Sequence, residues 1–315
     1  MQIKTFGLQV IGANLSVPSL TVGNDDIWPE TKEWVEDNLG IKSRAHLSNG
    51  ETLLSLCIES AKNCIEDSGL TPQDVDCIII ATSTPDFVNP SMAAIVHGSI
   101  GARQSCPAFD IQAVCAGFVY ALGMVAALAN SGSGKNFLVI GADQFSKITD
   151  FTKRDCVFFG DAAAAIMIKK TESNSLFAVN LYADGKNWSD FHTPRLEGKF
   201  KQNAKEVTKN AVQKIPDAIL EICNEHNLLP SQISHFFTHQ PSKVVLDKVE
   251  ERLGVEPNSI YRNLNHRGNT ASASIPSVFF DSGKFRSIKS GEFVCFAAIG
   301  SGWVWGVALL QWKTN

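Results

Sequence analysis

Cys115 is the residue in this sequence whose position best suits covalent chemistry. It lies in the stretch DIQAVCAGF (residues 110–118), and the chain continues to residue 128 without another charged residue. This pattern predicts a helix that is apolar on every side and fully buried, with Cys115 at or near its start. A helix N-terminus offers unpaired N–H groups and the positive end of the dipole, which stabilise a thiolate and lower the pKa of a thiol. Cys115 is therefore a candidate nucleophile, although a buried inert thiol is the more common role of a single cysteine.

Three other stretches supply groups that would assist a thiol nucleophile. His239 follows an apolar strand in FFTHQP (residues 236–241), and functional groups of α/β sheets gather at the carboxyl ends of strands. Asn269 lies among small residues in NHRGNTASAS (residues 265–274), and Gly302 lies in a glycine-rich turn after another apolar strand. A thiol, an imidazole, an amide and free backbone N–H groups together suit acyl transfer through a thioester. Taken singly, His239 and Asn269 are more often ordinary polar residues than catalysts.

Short apolar runs alternate with longer segments of helical periodicity, and these elements must position the four stretches. The runs predict strands at residues 76–83, 136–142, 164–168, 235–238, 293–299 and 305–310. Apolar positions repeat with a period near 3.6 over residues 51–68 and 205–224, which predicts two helices. The alternation predicts an α/β fold with a mostly parallel sheet covered by helices.

The order of these elements also suggests an internal duplication. A helix at residues 51–68 leads into the strand at 76–83, and a helix at 205–224 leads into the strand at 235–238. A true repeat would imply a fold with two similar halves. The alternative is that helices and strands alternate in the same order twice by chance, as is common in α/β proteins. The polar, poorly periodic segment 172–203 predicts loops that join the two halves.

Composition excludes several classes of protein. The chain has 315 residues, of which 44% are hydrophobic and 19% are charged, so it is not intrinsically disordered. A formal net charge of −4 and no long apolar run argue against a nucleic-acid-binding or membrane protein. Eight scattered cysteines without a CxxC pair argue against a zinc site or another metal centre, and predict reduced thiols in a cytoplasmic protein.

These stretches, in this order and spacing, resemble the β-ketoacyl-acyl-carrier-protein synthase III family of thiolase-like condensing enzymes. The resemblance extends over the whole chain and includes GIKSR (residues 40–44), PAFD (107–110), FGDAA (159–163), GNTASASIP (268–276) and GWVWG (302–306). It implies a thiolase-like α/β fold in which two duplicated halves form five α-β-α-β-α layers, usually in a homodimer. The halves would be residues 1–171, with the nucleophilic cysteine, and residues 172–315, with the histidine and the asparagine.

The resemblance also implies the role of each residue. Cys115 would take an acyl group from a thioester of CoA or acyl carrier protein, and the backbone N–H groups of Cys115 and Gly302 would form the oxyanion hole. His239 and Asn269 would bind the carbonyl oxygen of a malonyl-type thioester and stabilise the enolate formed when CO₂ leaves. A decarboxylative Claisen condensation follows, and no cofactor or metal is implied beyond the thioester substrates.

The positions expected to contact CoA depart from the family pattern. Trp34 and Arg154 match two of them, but Asn38 stands where an arginine is typical. The basic residue expected after the His-Gln pair is shifted to Lys243, and an Ala-Lys pair that ends at Lys205 replaces a Gly-Asn pair at the pantetheine tunnel. We therefore expect an altered grip on CoA or the carrier protein.

The loop at residues 84–90 departs as well. In the family this loop reaches the acyl pocket of the partner subunit, which makes Phe87 and Asn89 candidate substrate-binding residues. Asn89 is neither the apolar residue of many housekeeping members nor the glutamate of members that join two acyl chains head to head. We therefore predict a non-standard acyl group or acceptor, in a specialised metabolic pathway, and no head-to-head condensation.

Other functions remain open on the sequence alone. A condensing-fold acyltransferase would pass the acyl group from Cys115 to an oxygen, nitrogen or aryl-amine acceptor, and it could use the same three residues. A thiolase proper is disfavoured because the turn at residues 300–302 has no second cysteine. A non-catalytic acyl-binding subunit is disfavoured because such proteins usually lack the nucleophilic cysteine.

Overall fold

Two five-stranded sheets form the centre of the structure, a computed structural model that describes residues 1–195 and 198–314. The strands are β1 (Gln2–Phe6), β2 (Leu8–Ser16), β3 (Leu20–Gly23), β4 (Ser43–His46), β5 (Cys77–Ala81), β6 (Ala108–Ile111), β7 (Asn136–Asp143), β8 (Ala162–Lys170), β9 (Leu176–Ala183), β10 (Phe191–His192), β11 (Lys201–Gln202), β12 (Ile233–Thr238), β13 (Phe293–Gly300) and β14 (Val304–Gln311). The first sheet has the order β2-β8-β7-β5-β6 and the second has the order β1-β9-β14-β13-β12. The pairs β3-β4 and β10-β11 form two small sheets beside them.

Helices cover both outer faces of these sheets and fill the space between them. The helices are α1 (Asn24–Ile27), α2 (Lys32–Trp34), α3 (Leu53–Asp67), α4 (Met92–Ile100), α5 (Gly117–Asn130), α6 (Ala204–Glu225), α7 (Lys243–Leu253), α8 (Leu264–Arg267) and α9 (Ser274–Asp281). Helices α5 and α9 contact strands of both sheets, α3 and α4 pack on the first sheet, and α6 packs on the second with α7 against it. The five α-β-α-β-α layers expected from the sequence are confirmed.

The two sheets share a repeated plan of four strands. In the first, β2 is antiparallel to β8, β8 is antiparallel to β7, and β7 is parallel to β5. The strands β9, β14, β13 and β12 repeat these directions in the second sheet. The duplication is therefore visible in the topology, with helix α3 before β5 corresponding to helix α6 before β12.

Each sheet carries one strand outside this repeat. Strand β6 extends the first sheet, and β1, from the start of the chain, extends the second by pairing with β9. The N-terminal strand therefore completes the sheet of the C-terminal half. A division into residues 1–171 and 172–315 stays a prediction.

The structure corrects two expectations about the strands. The sheets are mixed, because each half ends in antiparallel strands, and only β5-β6, β5-β7 and β12-β13 are parallel among the described strands. The segment 172–203 is not only loop, since β9 lies between β1 and β14. The apolar run of β9 is interrupted by Asn180. This polar side chain is buried, and it donates a hydrogen bond to Glu225 at 2.9 Å.

The cysteines and the helix after Cys115 are buried, as expected from the sequence. All eight cysteines are buried, and none forms a disulfide. The helix expected after Cys115 is α5, and most of its residues are buried between the two sheets. Among the helices that the structure describes, none has the length and apolar character needed to cross a lipid bilayer.

Candidate active site

Cys115 lies in a short 3₁₀ turn, Val114–Ala116, that leads directly into helix α5. Its side chain is buried, with 4% exposed. The end of β13 reaches this turn because Gly300 has no side chain: a Cβ there would lie 2.8 Å from the Ala113 carbonyl oxygen and 3.0 Å from the Cys115 nitrogen. The second sheet thus approaches the backbone of Cys115 directly.

The acidity of Cys115 differs from the sequence expectation. Burial raises the pKa of the Cys115 thiol above its ordinary value, and the carboxylate of Asp143 raises it further, whereas the residue's own N–H acts in the opposite direction. Desolvation of the charged form outweighs the effect expected from the helix N-terminus. The resting group is therefore a neutral thiol.

His239 follows β12 immediately, as the sequence predicted. Its backbone N–H donates to the Ala297 carbonyl of β13 at 2.8 Å, which fixes the residue at the carboxyl edge of the second sheet. The side chain is 3% exposed, and burial lowers the pKa of the imidazole to about 3. The ring is therefore neutral at physiological pH, and its Nδ1 has no partner within the described chain.

Asn269 is held by hydrogen bonds on both its backbone and its side chain. Its N–H donates to the Phe158 carbonyl at 2.9 Å, and its carbonyl accepts from the Gly160 N–H at 3.0 Å. The Ala271 N–H donates to Asn269 Oδ1, also at 2.9 Å. Because Oδ1 is occupied in this way, Nδ2 is the side-chain atom that remains to donate to a ligand.

One cavity, of about 610 Å³ with its open mouth included, brings these three residues together. Its inner wall also includes Gly300, Trp303, Phe159 and Phe191. Another part of the wall consists of residues at the start of α6 and the start of α7: Ala204, Val207, Thr208, Ala211, Ser242 and Val245. These two outer helices therefore form one side of the cavity that contains Cys115.

A second cavity, of about 1,370 Å³ with its open mouth included, lies next to the turn that carries Cys115. It is lined by Val114, by Gly302 and by the loop that carries Phe87, and it shares Phe191 and Ser301 with the first cavity. Gly302 therefore lines the second cavity, whereas Gly300 lines the first cavity together with Cys115. The role of the Gly302 N–H in an oxyanion hole stays a prediction.

Asp143 is a buried residue near Cys115 that the sequence reasoning missed. Its carboxylate accepts from the Ser83 N–H at 2.8 Å, from the Thr84 hydroxyl at 2.8 Å and from the Ser272 N–H at 3.0 Å. The Ser272 hydroxyl also lies 2.9 Å from the carbonyl of Val114, the residue before the nucleophile. The position of Asp143 at the end of strand β7 was the signal available, because His239 was selected by the same criterion, the carboxyl end of a strand, in the other sheet.

The four residues expected to bind CoA are exposed, and none of them lines the first cavity. The Arg154 guanidinium lies 4.6 Å from the centre of the half-exposed Trp34 ring, a cation–π contact. Lys205 is exposed at the start of α6. Lys243 forms an exposed ion pair with Asp247 at 3.1 Å. Neither lysine lines the cavity, whereas their neighbours Ala204 and Ser242 do.

The loop at residues 84–90 is exposed at its tip. Phe87 lines the second cavity, and the side chain of Val88 is 80% exposed. Asn89 is also exposed and lines neither cavity. Its predicted influence on the acyl group therefore stays a prediction.

Comparisons with known proteins agree with this geometry. Residues 109–185 match the family model of 3-oxoacyl-[acyl-carrier-protein (ACP)] synthase III, and residues 223–312 match the model of its C-terminal part. The β-ketoacyl-[acyl-carrier-protein] synthase III of Anaplasma marginale is 35% identical, over 95% of this chain and 98% of that protein. The protein of that name from Rhizorhabdus wittichii is 32% identical, over 96% and 98%. The crystal structure of 3-oxoacyl-[acyl-carrier-protein] synthase III from Aquifex aeolicus is similar with a TM-score of 0.92 and 31% identity, over 97% of this chain and 100% of that one.

Proposed function

Because the chain belongs to the 3-oxoacyl-[acyl-carrier-protein] synthase III family and is a condensing enzyme, we propose that Cys115, His239 and Asn269 carry its reaction. The observation that supports this proposal is their convergence on one cavity, which residues of α6 and α7 also line. The reaction uses an acyl thioester and a malonyl-type thioester, and it needs no cofactor beyond these substrates. The eight reduced cysteines support a cytoplasmic location.

The first step is acyl transfer to Cys115. The sulfur attacks the thioester carbonyl of the starter, the bond from that carbonyl to the carrier sulfur breaks, and the carrier leaves as a free thiol. Since Cys115 rests as a neutral thiol, its proton leaves as the sulfur attacks and ends on the departing carrier sulfur. The backbone N–H groups of Cys115 and Gly302 are the proposed donors to the oxyanion.

The second step is a decarboxylative condensation. A ring N–H of neutral His239 and Nδ2 of Asn269 donate to the carbonyl oxygen of the malonyl-type thioester. When the bond to the carboxylate breaks, CO₂ leaves and the electron pair forms an enolate on that oxygen. The enolate carbon then attacks the acyl-Cys115 carbonyl, a β-ketoacyl thioester leaves, and the Cys115 sulfur is released and reprotonated. Neutral donors suit this step because the negative charge develops on the oxygen that they face.

The substrates arrive as thioesters of CoA or of acyl carrier protein. The stacked pair of Trp34 and Arg154 supports recognition of an aromatic, anionic carrier such as the CoA nucleotide. Exposed Lys205 at the start of α6 adds positive charge beside Ala204 of the cavity wall, whereas the charge of Lys243 at the start of α7 is shared with Asp247. Phosphate groups of CoA or of a carrier protein's prosthetic group are suitable partners for such lysines.

A homodimer is the proposed assembly. Three large apolar side chains are exposed at the rim of the second cavity: Phe87, Val88 and Trp188. Such a group of exposed apolar residues is typical of a surface covered by another protein. A second copy of the chain that covers this rim would close the second cavity.

An assay of the separate steps tests this proposal. The protein is incubated with an acyl-CoA and malonyl thioester, while acyl-Cys115, CO₂ and the β-ketoacyl product are measured. We expect Asn269→Ala to form acyl-Cys115 at close to the normal rate but to lose about 100- to 1,000-fold in CO₂ release, as expected for one lost oxyanion donor. Transfer of the acyl group to an oxygen or nitrogen acceptor, without CO₂ release from the malonyl thioester, would favour the acyltransferase alternative.

A further inference from the structure

One peptide group, between Phe159 and Gly160, links Asn269 to the first half of the chain. Its N–H donates to the Asn269 carbonyl at 3.0 Å, and its carbonyl oxygen lies 3.0 Å from Nε2 of His46. Because a peptide group is planar and rigid, its carbonyl and its N–H cannot move independently. The imidazole of His46 and the backbone of Asn269 are therefore bound to opposite sides of the same unit.

The contact of His46 with this peptide group has a defined direction. A carbonyl oxygen only accepts hydrogen bonds, so the ring nitrogen Nε2 carries the proton and donates. No backbone N–H of the described residues donates to the Phe159 carbonyl, so the imidazole supplies the hydrogen bond that a buried carbonyl requires. His46 and Phe159 are both buried, so bulk water does not take the place of this donor.

The imidazole of His46 is itself held in place. His46 ends strand β4, where it pairs with Leu20 of β3, and its ring packs edge-on against Phe151 with ring centres 5.8 Å apart. The residue before it in β4 binds the same segment of chain, since the Asp161 N–H donates to the Ala45 carbonyl at 2.8 Å. A donor presented from a paired strand can therefore define where the peptide group lies.

The position of Asn269 matters in the proposed reaction because one side-chain atom has to meet the substrate. Oδ1 accepts from the Ala271 N–H at 2.9 Å, so Nδ2 is the atom that donates to the carbonyl oxygen of the malonyl-type thioester. Donors of this kind stabilise an oxyanion when they lie about 2.7–3.1 Å from the oxygen on which the charge develops. A small displacement of the Asn269 backbone would therefore weaken the stabilisation of the enolate.

These contacts give His46 a role in the reaction, although it is distant in sequence from the residues that carry it. Building on the proposed function, we infer that His46 is a positioning residue for the condensation step. It acts through the peptide group of Phe159 and Gly160, which keeps Nδ2 of Asn269 at the place where the enolate oxygen forms. His46 lines neither cavity, so it acts on the donor and not on the substrate.

The two steps of the reaction should respond differently to loss of the His46 contact. The turn of Cys115 is held from another direction, because Asp143 binds Ser272 and the Ser272 hydroxyl lies 2.9 Å from the Val114 carbonyl. Removal of the imidazole should therefore slow CO₂ release and leave the formation of acyl-Cys115 unchanged. A general loss of structure would instead slow both steps.

Separate measurements of acyl-Cys115 formation from an acyl-CoA and of CO₂ release from a malonyl thioester test the inference. We expect His46→Leu to lower the rate of CO₂ release about tenfold, less than loss of the Asn269 donor itself, and to keep acyl-Cys115 formation within about twofold. His46→Gln should restore CO₂ release, because the amide nitrogen of this variant can occupy the place of Nε2. In the Asn269→Ala protein, His46→Leu should cause no further loss, since the donor that His46 positions is gone.

His97→Leu is the matched control. Nε2 of His97 lies 3.0 Å from the Arg103 carbonyl, so this substitution removes the same kind of hydrogen bond outside both cavities and should leave both rates unchanged. Thermal unfolding checks each variant. His46→Asn, whose amide is too short to reach the carbonyl, provides the test if His46→Leu does not fold.

The outcomes separate this inference from the proposed function. An effect of His46→Leu on CO₂ release no larger than that of His97→Leu, or an equal fall in the wild-type and Asn269→Ala proteins, would overturn the inference. Absence of acyl-Cys115 and of CO₂ release in the wild-type protein would instead contradict the proposed function.

Discussion

Burial determines the resting state of the two reactive side chains, Cys115 and His239. Burial raises the pKa of the Cys115 thiol and lowers the pKa of the His239 imidazole to about 3. Both groups are therefore neutral, and the site at rest holds no thiolate–imidazolium pair. The sequence identified both residues from their places at a helix start and a strand end, but it predicted the wrong direction for the thiol. Local sequence shows the helix terminus, whereas the desolvation comes from segments distant in sequence that pack around the turn, β13 and β14 among them.

The depressed pKa of His239 makes the free energy of unfolding depend on pH. The unfolded chain protonates this residue below about pH 6.5, whereas the folded protein does so only near pH 3. The contribution of this residue to the free energy of unfolding is therefore fully present above pH 6.5. Below that pH the free energy of unfolding decreases, by up to about 1.4 kcal/mol per pH unit, because the unfolded chain takes up a proton that the folded protein does not.

Chemical denaturation at pH values from 7 to 5 checks this prediction. We expect the wild-type protein to lose stability more steeply with falling pH than His239→Gln, which has no titrating group at this position. Other histidines, such as His46, contribute equally to both proteins and cancel in the difference. Parallel stability curves for the two proteins would contradict a buried neutral His239.

At the scale of the elements, the Asp143 carboxylate joins the segments around Cys115. It connects the end of β7 to the segment after β5 and to Ser272, and Ser272 in turn lies against the Val114 carbonyl. Val114 has a φ of 45°, a conformation that a β-branched residue rarely adopts, so the nucleophile turn depends on its surroundings. The network therefore holds the turn of Cys115 in this conformation.

Removal of this carboxylate should affect both stability and reactivity. We expect Asp143→Ala to cost about 3–5 kcal/mol of unfolding free energy, because several buried donors lose their acceptor at once. Loss of the nearby negative charge should also shift the alkylation of Cys115 by iodoacetamide to lower pH, since Asp143 contributes to the raised pKa of the thiol.

A surface variant provides the comparison for this experiment. Asp25 is 66% exposed and pairs with Lys32, so Asp25→Ala should cost less than about 1 kcal/mol and leave the alkylation profile unchanged. If Asp143→Ala is as stable and as reactive as Asp25→Ala, Asp143 does not hold the turn.

The elements that could be predicted from the sequence are those with a regular pattern of apolar residues. The apolar runs gave the strands now seen as β5, β7, β8, β12, β13 and β14, and the 3.6-residue period gave helices α3 and α6. The missed strand β9 contains Asn180, whose burial depends on Glu225 from helix α6. The burial of Asn180 results from a contact between segments that are distant in sequence. The same is true of the Asp143 network and of the cavity walls, so a pattern within one short stretch of sequence does not reveal them.

At the scale of the whole molecule, the duplication creates the site. The turn of Cys115 follows the first sheet, whereas His239 and Gly300 lie at the edge of the second, so neither half contains all the groups. The resemblance carried by the motifs predicted the five layers, and the structure brings Cys115, His239 and Asn269 to one cavity, whereas their catalytic roles stay a prediction. The crossing of β1 into the second sheet required the three-dimensional structure.

The proposed dimer can be tested at the exposed rim of the second cavity. We expect Val88→Glu to raise the dissociation constant of a dimer at least about tenfold, because a charge would be buried without a partner. Analytical ultracentrifugation measures this change. Leu229→Glu is the control, because Leu229 is an exposed apolar residue outside both cavities. Equal effects of the two substitutions would contradict a dimer that covers the rim.

The most direct test of the account is the mass of the intact protein after incubation with a panel of acyl-CoA thioesters. The account predicts a mass gain of one acyl group, located by peptide mapping at Cys115 and absent from Cys115→Ala. A gain of the same size in Cys115→Ala, or an acyl group located on another residue of the wild-type protein, would contradict Cys115 as the nucleophile.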